Sequence, residues 1–187
     1  IDGNGVTSHR FAQEDTKALC IFEYIYFARP DSVIDKQSVY QARLAMGREL
    51  ARESGYKADM VISVPDSGTA AALGFSYESG IPYGEGLIKN RYIGRTFIQP
   101  EQKNRDLGVR IKLNAIESMV KNKSLILVDD SIVRGTTSGK IVHMLKEAGA
   151  KEIHMCISSP PIAYPCYYGI DTSIRKELIA SSKLVEE

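Results

Sequence analysis

Apolar residues gather in three short runs along this chain, Asp59 to Pro65, Ser124 to Val128 and Glu152 to Ser158, each bounded by turn residues. Short continuous runs rich in Val, Ile and Leu predict strands buried on both faces. Between and before them the apolar period changes from that of a strand to that of a helix. Thr69 to Tyr77 is Ala-rich, and Ile141, Val142, Leu145 and Ala148 share one stripe that stops at Gly149. Upstream, Ser38-Val-Tyr-Gln41 fits a capping box, and Val39, Ala42, Met46 and Leu50 line one face of a helix through to Glu53. Strands alternating with helices predict an α/β fold, a mainly parallel sheet flanked by helices and joined by right-handed crossovers. Ligands then gather at the carboxyl ends of the strands.

Two stretches break the pattern. Lys89 to Asn114 is rich in Lys, Arg, Gln and Gly and has no apolar period, so it predicts either a disordered segment or a long flexible lid loop. After the Pro160-Pro161 break, a short helix is expected over Thr172 to Ser181. No internal repeat or low-complexity segment is present.

Composition narrows the class. The 187 residues are 43% hydrophobic, which suits one well-cored domain and argues against disorder. Lys and Arg total 24 against 23 Asp and Glu, so no global field favours nucleic acid or an anionic membrane, and any phosphate binding is local. The sequence has no apolar run of about 18 residues and no signal-peptide pattern at its start, so a soluble cytoplasmic protein is expected. The three cysteines, Cys20, Cys156 and Cys166, are odd in number and far apart, which reads as free thiols rather than a disulfide framework. The first residue is Ile1 rather than Met, and a fragment of a longer protein is expected.

The richest chemistry follows the second apolar run. Asp129 and Asp130 end a buried strand, where adjacent carboxylates repel each other unless they meet a cation or hydroxyl donors. Asp-Asp-Ser is also ordinary in a surface turn. Gly135 permits close backbone approach, and Thr136, Thr137 and Ser138 add hydroxyls at a helix N-terminus that favours an anion. N-capping explains one such hydroxyl better than three. A Walker A loop is excluded, because Gly139-Lys140 is followed by Ile141 and no Gly stands five positions earlier. The residues therefore suit a phosphorylated sugar with a divalent metal.

Ile126-Leu-Val-Asp-Asp-Ser-Ile-Val-Arg-Gly-Thr-Thr137 resembles the phosphoribosylpyrophosphate-binding motif of the type I phosphoribosyltransferases. Glu23-Tyr-Ile-Tyr-Phe-Ala-Arg-Pro-Asp-Ser32, Val64-Pro-Asp-Ser67, the run from Ile88 to Pro100 and Ser158-Ser-Pro-Pro161 resemble the glutamine phosphoribosylpyrophosphate amidotransferase branch of that family. The resemblance runs nearly end to end. It implies the type I phosphoribosyltransferase fold and magnesium-dependent displacement of pyrophosphate from phosphoribosylpyrophosphate by ammonia. The product is 5-phosphoribosylamine, in the first step of de novo purine synthesis.

The resemblance also implies roles. Asp129 and Asp130 hold the ribose hydroxyls and join the Mg2+ environment, with Ser67 at a further metal-associated position. Ser131 belongs to the same substrate loop, and Arg134, Gly135, Thr136, Thr137 and Ser138 cradle the 5-phosphate. Val64 to Gly68, with Pro65, Asp66 and Ser67, forms the pyrophosphate loop, and Lys89, Arg91, Tyr92, Arg95 and Lys112 sit on the lid. A basic lid suits a leaving group that gathers negative charge, although any single Lys or Arg there also reads as a solvated side chain.

Members of this branch carry an N-terminal glutaminase domain that begins with a catalytic Cys. This sequence has no candidate for that role, so residues 1–187 are expected to be the phosphoribosyltransferase domain alone. Cys20 and Cys166 match two ligands of the 4Fe-4S iron–sulfur cluster of one subgroup and are expected to lie near each other. The remaining Cys-x-x-Cys pair has no counterpart here, and no intact cluster is expected. Cys156 reads as a buried strand thiol. Homo-oligomers and purine nucleotide feedback inhibitors are further implications. Two other functions compete: a phosphoribosylpyrophosphate-sensing regulator, which needs a DNA-binding module that is not visible, and a base-salvage phosphoribosyltransferase. For the latter, Tyr92, Tyr164, Tyr167 and Tyr168 are available to stack a base, with packing as their plainer role.

Overall fold

The computed structural model describes residues 3, 5–9, 18–90, 113–170, 172 and 174–182. A π-helical turn at Glu23–Phe27 leads into a small antiparallel ladder of β1 (Val33–Ile34) and β2 (Gln37–Ser38). Helix α1 (Val39–Ser54) starts where Ser38 Oγ accepts the Gln41 N–H at 3.4 Å, as the capping box predicts, and ends at Gly55 in the left-handed region (φ 61°). Strand β3 (Met60–Ser63) and α2 (Thr69–Ser79) follow. Then β4 (Leu87–Lys89) and β5 (Leu113–Ala115) pair antiparallel at the base of the expected lid, ahead of the short α3 (Glu117–Val120). Next come β6 (Ser124–Asp129), α4 (Thr136–Glu147) and β7 (Glu152–Ile157).

The three predicted strands form one parallel sheet in the order β3-β6-β7, with Val61 opposite Ile126 and Ile126 opposite His154. Successive side chains of β6 point to opposite faces. Leu125 and Leu127 pack with Met60, Ile62, Ile141 and Leu145, whereas Ile126 and Val128 pack with Ala71, Ala72, Phe75 and Cys156. All four β6 residues are fully buried, which is why this strand reads as an unbroken apolar run.

Two expectations change. The buried face of α1 carries Val39, Ala42, Arg43, Leu44 and Gly47, while Met46 and Leu50 are only partly covered. Backbone proximity sets this rotation: a Cβ on Gly47 would lie 1.8 Å from the Ala71 carbonyl oxygen, and one on Gly74 would lie 2.1 Å from that of Leu44. The α1–α2 contact is thus a glycine-mediated crossing, invisible to a pattern that counts apolar side chains. The helix expected over Thr172 to Ser181 is instead two 3-10 turns, Arg175–Glu177 and Ile179–Ser181, separated by Leu178 in an extended conformation. Burial of Leu178 fixes that break, since its side chain is 1% exposed while its neighbours are not.

Candidate functional site

The loops after β3 and β6 lie side by side because their strands are adjacent and parallel. The Val64 N–H donates to Val128 O at 2.9 Å, extending the ladder to the loop mouths. Gly68 closes the approach: a Cβ there would stand 2.6 Å from Val128 O, 3.0 Å from Val64 O and 3.2 Å from Asp129 Cα. Only hydrogen fits. The first loop contains a cis peptide bond between Pro65 and Asp66, and it turns directly into α2. Beneath it the Ser63 hydroxyl bonds Thr69 Oγ1 at 3.2 Å and the Tyr83 hydroxyl at 3.1 Å.

Asp129 and Asp130 are 8% and 6% exposed, so they are not an ordinary surface turn. Asp129 Oδ1 accepts the Asp130 N–H at 2.9 Å, and the Ser131 hydroxyl donates to Asp130 Oδ1. The Ser158 N–H donates to Asp129 O at 3.0 Å, so the Ser158-Ser-Pro-Pro161 segment braces the pair from the neighbouring strand end. Burial, and then the Asp130 charge, push the Asp129 carboxyl up to about 7. These are hard oxygen donors whose mutual repulsion a divalent cation would relieve, and two carboxylates completed by ligand oxygens are a usual Mg2+ environment. Among the described residues no group of three or more His, Cys, Asp or Glu could hold a metal, so a cation here would complete its shell with oxygens of a ligand or of water.

Downstream, Gly135 adopts φ 75° and serves as the N-cap of α4, where it has no side chain to occupy the first-turn N–H groups. Thr136 and Thr137 are exposed and Ser138 is buried. Arg134 reaches the terminal turns, pairing with Glu177 Oε2 through Nη2 at 2.7 Å and Nε at 2.8 Å. Lys89, at the end of β4, reaches Asp66 Oδ2 at 2.8 Å and so ties the lid base to the first loop. Arg91, Tyr92, Arg95 and Lys112 lie outside the described residues.

Sequence reasoning missed one buried cation. Arg43 is 5% exposed and donates to Tyr24 O at 2.7 Å and Ala28 O at 2.9 Å, tying the Glu23-to-Ala28 segment to α1. Burial lowers the affinity of its guanidinium for a proton, and the nearby Asp130 charge opposes that effect. The available signal was an arginine one helical turn after Val39, inside an otherwise apolar face.

The cysteines separate by environment. Cys156 is buried, and desolvation pushes its thiol up to about 11. Cys166 is partly exposed; its sulfur accepts the Tyr168 N–H at 3.3 Å, and this and neighbouring backbone N–H groups hold its thiol below the usual range. Cys20 is exposed. With Cys156 inside the core, two accessible thiols remain against the four that a 4Fe-4S cluster normally takes, so the residues present do not make a complete ligand set. Tyr164, Tyr167 and Tyr168 are all exposed, and Arg175 lies over the Tyr164 ring at 4.8 Å.

Among the described residues no helix is long and apolar enough to cross a membrane. The phosphoribosyl transferase domain profile matches residues 35–164. Similar curated proteins include the amidophosphoribosyltransferases of Archaeoglobus fulgidus, 61% identical over 95% of this chain, and of Bacillus subtilis, 58% identical over 100% of it; each match covers 39% of the relative. The chain therefore spans about two-fifths of the length of these relatives. Among solved structures, the glutamine phosphoribosylpyrophosphate amidotransferase from B. subtilis complexed with ADP and GMP matches with a TM-score of 0.86 and 57% identity. That match covers 100% of this chain and 41% of the other. The two apposed loops, the buried carboxylate pair and the profile match coincide on the same strand ends, and the chain belongs to the phosphoribosyl transferase domain family.

Proposed function

We propose that this chain is the phosphoribosyltransferase part of an amidophosphoribosyltransferase, joining ammonia to phosphoribosylpyrophosphate and releasing pyrophosphate. The observation that carries the reading is the close apposition of residues 64–68 and 129–138 across Gly68, which suits a ligand carrying phosphate at both ends of a ribose. In this reading, the loop of residues 64–68 takes the pyrophosphate on the backbone N–H groups of Asp66 and Ser67, since Val64 and Gly68 donate theirs to Val128 O and Val64 O and Pro65 has none; Pro65, Asp66, Ser67 and Gly68 form its lining. Asp129 and Asp130 take the ribose hydroxyls. Ser131, Arg134, Gly135, Thr136, Thr137 and Ser138 form the 5-phosphate cradle at the N-terminus of α4. Lys89, with Arg91, Tyr92, Arg95 and Lys112, closes over the leaving group.

Asp129, Asp130 and Ser67 would hold Mg2+, which supplies charge neutralisation for the diphosphate when bound. As the ammonia nitrogen forms its bond to the anomeric carbon, the bond from that carbon to the pyrophosphate oxygen breaks and its electron pair leaves with pyrophosphate. The nitrogen then gives up a proton. No side chain stands out as a dedicated base, so the protein's contribution is positioning, electrostatic stabilisation and exclusion of water. Residues 1–187 serve as the phosphoribosyltransferase domain, glutamine hydrolysis falls to a glutaminase domain of the parent chain, and the assembled protein is a cytoplasmic homo-oligomer. The ADP and GMP of the B. subtilis relative support purine nucleotides as ligands here too. An iron–sulfur cluster would draw on Cys20 and Cys166 together with thiols from elsewhere in that parent.

The test is pyrophosphate release with ammonia, adenine, guanine or orotate as acceptor. Ammonia alone should support turnover, and Asp129→Asn with Asp130→Asn should reduce it at least about a hundredfold, as expected for lost transition-state charge stabilisation. Turnover with a base, or an unimpaired double variant, would make the assignment wrong.

A further inference from the structure

We propose that residues 174–182 are a strap that fixes the shape of the 5-phosphate loop, with Glu177 and Ile179 as positioning residues. The proposal rests on the reading of residues 134–138 as the 5-phosphate cradle. Three consecutive loop residues are gripped by the strap. The Ile179 N–H donates to Val133 O at 2.9 Å, Glu177 Oε2 receives two N–H groups of Arg134, and the Ile179 side chain lies over Gly135. That last contact is tight, since a Cβ on Gly135 would stand 2.8 Å from Ile179 Cδ1. Leu178 anchors the strap in the protein at 1% exposure, between these two gripping residues.

The loop needs such a grip. Gly135 holds φ 75°, a conformation that a flexible glycine leaves readily, and the direction of the first N–H groups of α4 depends on it. An anion cradle made of backbone N–H groups binds well only when it is preorganised. The Arg134–Glu177 pair is about two-fifths exposed on each side, so it contributes little to global stability. What it does is hold the Arg134 guanidinium on Glu177, so that Arg134 enters the cradle through its backbone, beside the N–H groups and hydroxyls of residues 135–138. Ligand selectivity therefore reports the strap better than thermal stability does.

The experiment is calorimetric titration of the 187-residue chain with ribose 5-phosphate and, separately, with Mg2+-pyrophosphate. The variant is Glu177→Gln with Ile179→Pro. Proline removes the N–H at the first residue of a 3-10 turn, and Leu178 is already extended at φ -81°, ψ 118°, as a residue before proline must be. Ribose 5-phosphate should bind about tenfold more weakly, the effect of losing one hydrogen bond and its ion-pair neighbour. Pyrophosphate, held by the other loop, should change by less than about twofold. Glu177→Gln alone should weaken ribose 5-phosphate about threefold and serves if the proline variant does not fold. Equal weakening of both ligands, or of neither, overturns the strap. A parent chain that binds neither ligand would sink the site reading and the strap with it, an outcome distinct from failure of the strap alone.

Discussion

Replacing Asp129 with Asn should make the metal-free protein more stable at neutral pH, and the structure sets the scale. The Asp129 carboxyl rises from 3.8 to about 7 because it is buried and faces Asp130. A carboxyl whose folded value exceeds its unfolded value binds more protons when folded between those two points. Its contribution is thus most favourable below about pH 4 and is lost as pH rises through about 7. At about pH 8 the loss is on the order of 4 kcal/mol, and more than half of it accrues above pH ~5. That is a large share of a typical domain stability of about 5–15 kcal/mol. Urea denaturation of the parent and of Asp129→Asn at several pH values between about 5 and 8, without divalent ions, measures it. The parent should lose stability across this range, whereas the variant, whose amide oxygen can still accept the Asp130 N–H, should stay nearly flat. Adding Mg2+ should restore part of the parent's loss at high pH and none of the variant's slope. If parent and variant show the same pH dependence, Asp129 is not the strained group and the argument from its burial fails.

Two further outcomes follow from packing and solvation. Gly68→Ala should destabilise by about 1–3 kcal/mol, the usual cost of overpacking, because its methyl group would meet the backbone of both loops. Gly139→Ala, with open space around it, serves as the control in the same melts; a variant at Gly68 as stable as that control would refute the close approach. In alkylation by iodoacetamide at neutral pH followed by peptide mapping, Cys166 should react ahead of Cys156. The first thiol is held down by backbone N–H groups and the second is buried and pushed up to about 11. Early labelling of Cys156 in the folded protein would contradict the placement of β7.

The strands were the most legible part of the fold. Ser124 to Val128 sits at the middle of the sheet, so both its faces are covered, and the continuous apolar run records that directly. The helix over Val39 to Ser54 was legible in extent, from its cap to its glycine stop, yet not in orientation. Gly47 and Gly74 decide which face is buried by letting two backbones touch, and an absent side chain leaves no apolar signal to count. Arg43 was hidden for the opposite reason: a charge on an apolar face reads as solvated until the carbonyls of Tyr24 and Ala28 are found around it.

The candidate site divides in the same way. The local order of strand, carboxylates, glycine and hydroxyls lies within one stretch of chain, so Asp129, Asp130 and residues 134–138 could be named from the sequence. The sequence also resembled a family in which those residues meet a phosphorylated sugar, and the profile match establishes that family. What required three dimensions were the contacts between distant segments: the Gly68 backbone against Val128 and Asp129, the Lys89–Asp66 pair, and Glu177 on Arg134. Secondary structure and loop chemistry are set by neighbours along the chain, through backbone geometry and side-chain periodicity. The burial that lifts Asp129, and the grip that holds Gly135, depend on which strands and turns come to lie beside one another, and that is a property of the packed whole.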